Sequence, residues 1–79
     1  MQVYEADYSV LKYLEKRKLV GQYQKAKKNI LQGQYQLVDL KKRKPKSAEV
    51  YQFRVNKKYR AFARKIKGGL LVFAISDHQ

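Results

Sequence analysis

Three apolar runs of strand length, residues 50–55, 59–66 and 70–76, fill the last third of the chain and are separated by Asn56-Lys57-Lys58 and Lys67-Gly68-Gly69. Both separators read as hairpin connections, and the second supplies glycines for the positive φ values that tight turns require. Runs of this length joined by turns this short predict an antiparallel meander of three strands.

The first half has a different period. Val3 and Tyr4 among alternating neighbours predict a short first strand, ending at Asp7 or Ser9, either of which can accept from the first helical N–H groups. Val10, Leu11 and Leu14 share a helical face while Lys12, Glu15 and Lys16 point away. Lys16, Arg17 and Lys18 suit the electronegative end of that helix. Leu19, Val20, Tyr23, Ala26, Ile30 and Leu31 predict a second, longer amphipathic helix, with Gly33 placed to stop it in a left-handed cap. From Gln34 the helical period is lost. The segment then runs into Lys41-Lys42-Arg43-Lys44-Pro45-Lys46, where proline and mutual repulsion oppose regular structure and predict a basic loop.

The expected fold is α+β in one domain over residues 1–79: an N-terminal strand, a helical hairpin, then the meander, with the helices covering one face of a sheet of about four strands. The other face is left to solvent or ligand. Strict alternation on the last strand puts Leu71, Phe73 and Ile75 on one side and Leu70, Val72, Ala74, Ser76 and His78 on the other.

Charge narrows the partners. Nineteen Lys and Arg against six Asp and Glu leave a net charge of +13 on 79 residues. That density repels itself in the compact state unless a polyanion is near, and nucleic acid, an anionic membrane surface and an acidic protein all qualify. No run approaches the roughly 18 apolar residues of a spanning helix, and the first ten residues have no signal-peptide core, so the expectation is a cytoplasmic protein. The absence of Cys removes disulfides and thiolate chemistry. No metal-ligand spacing, phosphate loop or Ser/His/Asp set occurs, and no cofactor is expected.

Arg54, Arg60 and Arg64 lie in the meander and His78 follows it. Alternation puts Arg60 and Arg64 on one side of their strand, and Arg54 joins them across the hairpin if register permits. Guanidinium groups that hold a phosphate, with an imidazole to move a proton, are what phosphodiester cleavage without a metal would use. Lys41, Lys42, Arg43, Lys44, Lys46, Lys57 and Lys58 add a phosphate-tracking surface that gives salt-dependent affinity but no chemistry. Tyr59 or Tyr51 could stack on a base, although tyrosines at such positions are more often core. A lone terminal histidine and solvated strand arginines are the competing, functionless readings.

The run Val50-Tyr51-Gln52-Phe53-Arg54-Val55-Asn56-Lys57-Lys58-Tyr59-Arg60-Ala61-Phe62, a glycine turn, and then Leu70-Leu71-Val72-Phe73-Ala74-Ile75-Ser76-Asp77-His78 resembles the C-terminal meander of the RelE/ParE superfamily of bacterial toxins. The element order and the basic charge agree, so the resemblance spans essentially the whole chain. It implies the toxin of a type II toxin–antitoxin system. In the RNase branch such a toxin cleaves messenger RNA in the ribosomal decoding site, and an acidic antitoxin covers its basic surface in a hetero-oligomer. Carried over by position, Arg60 matches the arginine that holds the scissile phosphate in YoeB-like toxins, His78 their general acid, and Arg54 a further phosphate or ribosomal RNA contact. Glu49 is the nearest counterpart of the general base, while Lys44 and Lys46 are counterparts of RelE-type lysines. YoeB-like toxins carry tyrosine where this sequence has Gln79. The same resemblance admits a ParE-like gyrase inhibitor without nuclease activity, or an inactive RNA-binding relative.

Overall fold

The computed structural model describes residues 1–77 and shows how local chemistry starts and stops each element. Strand β1 spans Gln2–Glu5, and Asp7 then caps helix α1, Tyr8–Lys16, its carboxylate accepting from the Ser9 N–H at 2.9 Å and from the Ser9 hydroxyl. Those bonds hold the Asp7 carboxyl below its ordinary value. The end of α1 is a Schellman turn: Lys18 stands at φ 57° while its N–H reaches the Glu15 carbonyl and the Leu19 N–H reaches that of Leu14. Helix α2, Val20–Leu31, closes in the same way, with Gly33 at φ 78° and the Gly33 and Gln34 N–H groups donating to Ile30 and Asn29. Two αL caps, at Lys18 and Gly33, fold the chain back twice, and the hairpin of helices follows. Tyr35–Val38 forms a short 3₁₀ turn.

The architecture is α+β, and its sheet has five strands rather than four. Strand β2, Lys41–Lys42, pairs antiparallel with β3, Val50–Arg54; β3 pairs with β4, Arg60–Ile66, and β4 with β5, Gly69–Ser76. Strand β1 lies parallel to β5, so the sheet order is β1-β5-β4-β3-β2. The expected basic loop is therefore corrected at its start. Backbone pairing needs no apolar side chains, and an edge position lets two lysines join a sheet while both remain in water.

A second correction concerns β5. Ala63 pairs with Val72 but Phe62 pairs with Ala74, so Phe73 is an extra residue in a β-bulge. The bulge breaks strict alternation. Leu70, Val72 and Ile75 all enter the core, whereas Leu71 and Ala74 share the other face and Ser76 stands opposite Arg60. The core lies between the helices and that inner face, built from Val10, Leu14, Tyr23 and Ile30 against Val3, Phe53, Ala61, Ala63, Leu70 and Val72. Leu31, expected on the buried helical face, is exposed.

One polar group enters the helix–sheet layer. Tyr23 is fully buried, stacks on Phe53 with ring centroids 6.3 Å apart, and donates its hydroxyl to Glu5 at 2.7 Å; Lys27 donates to the same carboxylate oxygen at 2.9 Å. Burial, then the bond to Glu5 and its charge, hold the Tyr23 phenol far above its ordinary 10.0. A raised folded-state value stabilises the protein below the unfolded value and loses that contribution as pH rises above it. Tyr23→Phe is expected to cost about 1–2 kcal/mol near neutrality, the worth of a hydroxyl bonded to a charged group. Its unfolding free energy should then fall less steeply than wild type's between about pH 9 and about pH 11 in urea titrations. Parallel falls in the two proteins would show that the phenol is not protected.

Candidate nucleic-acid interface

The helices leave one face of the sheet uncovered, and register fixes which side chains stand on it. Arg54 pairs with Arg60, and Arg60 pairs with Ser76, so two guanidinium-bearing residues and a hydroxyl form one transverse row. Continuing the β2–β3 pairing by two residues puts Asp39 opposite Arg54, and its carboxylate lies 3.8 Å from Arg54 Nη2 and 3.5 Å from Lys41 Nζ. All three side chains of that cluster are about half exposed, so these ion pairs add little stability. The next row is Lys41, Gln52, Phe62 and Ala74, and beyond it run Val50, Arg64, Leu71 and Tyr4.

Like charges placed directly opposite each other on a sheet oppose its formation. Arg54 facing Arg60 is thus a site that an anion between them would relieve. The hairpin after Arg54 adds Lys57 and Lys58, both exposed, at the same end of the sheet. Its shape is set by Asn56, whose side-chain oxygen accepts from the Lys58 and Tyr59 N–H groups at 2.8 and 2.7 Å while its amide donates to Gln22 of α2 at 2.7 Å. The turn is therefore held to the helical layer, and the two lysines are presented from a fixed base.

The expected site residues do not all meet. Arg54, Arg60 and Arg64 share the open face, as alternation predicts. Arg43 belongs with them: its N–H donates to the Val50 carbonyl at 2.7 Å, and its guanidinium carbon lies 5.0 Å from the Phe62 ring centroid. Lys44 and Lys46 stand at the opposite end of the sheet from the arginine pair, where Lys46–Ala48 is a 3₁₀ turn. Lys42 is exposed on the helix side of the edge strand, 5.9 Å from the Tyr51 ring.

Glu49 is exposed, in αL conformation at φ 51°, next to the start of β3. Five residues of strand separate it from Arg54, about 16 Å, so it and the arginine pair do not form one cluster. Tyr59 points to the helical side, meeting Tyr13 edge-on at 6.3 Å between centroids, and so is packed against the core rather than set beside the arginines. Tyr51 is likewise packed against the core. His78 lies outside the described residues.

Two features escape a reading of the sequence. Asp39 is the carboxylate beside Arg54, and only the pairing of β2 brings it there. The second is the bulge in β5: Phe73 keeps the face of Leu71, as alternation predicts, but Ala74 joins it there and Ile75 turns into the core. Among the described residues, no group of three or more His, Cys, Asp or Glu is arranged to hold a metal ion, and no helix is long and apolar enough to cross a membrane.

Comparison of the chain with protein-family profiles, with curated proteins and with solved structures returns no match.

Proposed function

We propose that this chain binds RNA on the open sheet face and acts as the toxin of a bacterial type II toxin–antitoxin system, a RelE/ParE-like endoribonuclease that cuts messenger RNA on the ribosome and so inhibits translation. The observation that carries the reading is the direct opposition of Arg54 and Arg60 on a face without helices, in a protein of net charge +13. The meander motif and the order of strand, two helices and antiparallel strands support a RelE/ParE-like fold.

In this reading Arg60 and Arg54 grip the scissile phosphate and offset the charge that accumulates as the ribose 2′-hydroxyl attacks it. The P–O5′ bond breaks, a 2′,3′-cyclic phosphate forms, and His78 gives its proton to the departing 5′-oxygen. Asp39 takes the place first given to Glu49 as acceptor of the 2′-hydroxyl proton, since its carboxylate lies 3.8 Å from Arg54. No cofactor enters this scheme. Lys41, Arg43, Lys57 and Lys58 hold flanking phosphates or ribosomal RNA. The cognate antitoxin is an acidic segment that covers the same face in a hetero-oligomer in the cytoplasm.

The separation of Glu49 from the arginines favours a second reading, a ParE-like inhibitor of gyrase that cuts no RNA. Inducing wild type and His78→Ala in a test bacterium, with primer-extension maps of messenger RNA, separates the two. The nuclease predicts cuts at ribosome-bound codons that fall by on the order of a hundredfold in the variant. Arrest of equal strength in both, with no cuts, sinks it in favour of the gyrase target.

A further inference from the structure

The arginine row uses one end of the open face, and the rest of that face has a different chemistry. Phe73 is 41% exposed and Tyr4 is 49% exposed, large aromatic surfaces left in water on a sheet whose inner face is dry. Phe73 stands beside a cation, and Tyr4 lies in the same row as Arg64 with Leu71 between them. The Arg64 guanidinium carbon lies 5.3 Å from the Phe73 centroid, and Arg43 stands over Phe62 in the adjoining row. Phe73 follows Leu71 onto this face by alternation, and the bulge beside it brings the small Ala74 onto the same face and turns Ile75 into the core.

Exposed rings interleaved with guanidinium groups suit one class of polyanion. An acidic peptide offers charge and has no flat π-surface to lay on a ring; a duplex has its base faces already stacked. A single-stranded nucleic acid offers both a phosphate chain and free base faces. Along β5, Phe73 is three residues from Ser76 in the arginine row, about 10 Å. That separation is short enough for one strand to engage both.

We infer that Phe73, flanked by Arg64 and Tyr4, is a stacking platform for an unpaired nucleobase, one that lies along the same RNA strand whose backbone is held by Arg54 and Arg60. The inference rests on the proposed RNA-binding face and adds to it a subsite that holds bases rather than phosphates. Arg64 takes the phosphate next to the stacked base.

The test uses fluorescence anisotropy with the full chain, a short single-stranded 2′-O-methyl RNA, which lacks the nucleophilic hydroxyl, and an abasic strand carrying the same phosphates. Wild type should bind the abasic strand at least about tenfold more weakly, the usual worth of one stacked base. Phe73→Leu, which keeps an apolar side chain at an exposed position, should close most of that gap by weakening the base-bearing strand alone. Arg54→Gln should weaken both strands by the same factor. Equal binding of the two strands by wild type, or a gap unchanged in Phe73→Leu, overturns the platform. So does a polyglutamate peptide whose binding shows the same dependence on Phe73. If Arg54→Gln changes neither strand while Phe73→Leu closes the gap, the phosphate site fails and the platform stands.

Discussion

Arg60→Ala is expected to lower messenger RNA cleavage by on the order of a hundredfold or more and to relieve growth arrest, the cost of removing one preorganised group from a developing negative charge. The same substitution should leave the fold as stable as wild type or slightly more so. Arg60 faces Arg54 across the β3–β4 hairpin, and removing one of two opposed like charges recovers roughly 0.2–1 kcal/mol. Loss of toxicity together with undiminished stability is a combination that misfolding cannot imitate. Measured by urea titration and by growth after induction, a variant that is folded and still toxic refutes the assignment of the phosphate to this row.

The largest effect on stability is expected at Gly69. A Cβ added there would lie 2.1 Å from the carbonyl oxygen of Gln2 and 2.9 Å from its carbonyl carbon, backbone atoms of β1 that cannot rotate away. Gly69→Ala must therefore push β1 off β5. That displaces Val3 from the core and Glu5 from its bonds to Tyr23 and Lys27. A cost of about 3 kcal/mol follows, which in a domain of this size lowers the melting temperature by roughly 12–24 °C. Gly21→Ala is the matching control. Its added methyl meets nothing within 4 Å in the first turn of α2, where alanine is the better helix former, so it should raise stability by about 0.5 kcal/mol. Equal melting temperatures for Gly69→Ala and wild type would mean that β1 is not held at this distance.

What could be read from the sequence follows the physics of local patterns. The helices were legible because Val10, Leu14, Tyr23, Ala26 and Ile30 repeat at helical spacing and all are buried, and Gly33 marks its cap. The hairpins were legible because Asn56 and the glycines at 68 and 69 are residues with a turn preference of their own. Arg60 and Arg64 sharing a face needed only the period of a strand. Features created by pairing were hidden. Strand β2 has no apolar signature, so its lysines read as loop, and Asp39 could not be placed opposite Arg54 without it. The bulge at Phe73 is a property of two strands measured against each other. A single apolar run contains no sign that one of its residues is supernumerary. The site was thus legible in its arginines and illegible in its carboxylate and in the β5 residues that follow Phe73.

The parallel pairing of β1 with β5 joins residues 2–5 to residues 69–72, so β1 finds its neighbour only after the helices and three further strands have emerged. At about 5–20 residues per second of synthesis, β1 spends several seconds or more without a partner. The helical hairpin and the β3–β4 pairing are local and can form as they appear, whereas the β1–β5 pairing awaits residues 69–72 and carries the entropy of a long loop. The nascent chain thus gathers its basic residues before it has the rigid face that arranges them, and β5 is the strand that locks β1 into place.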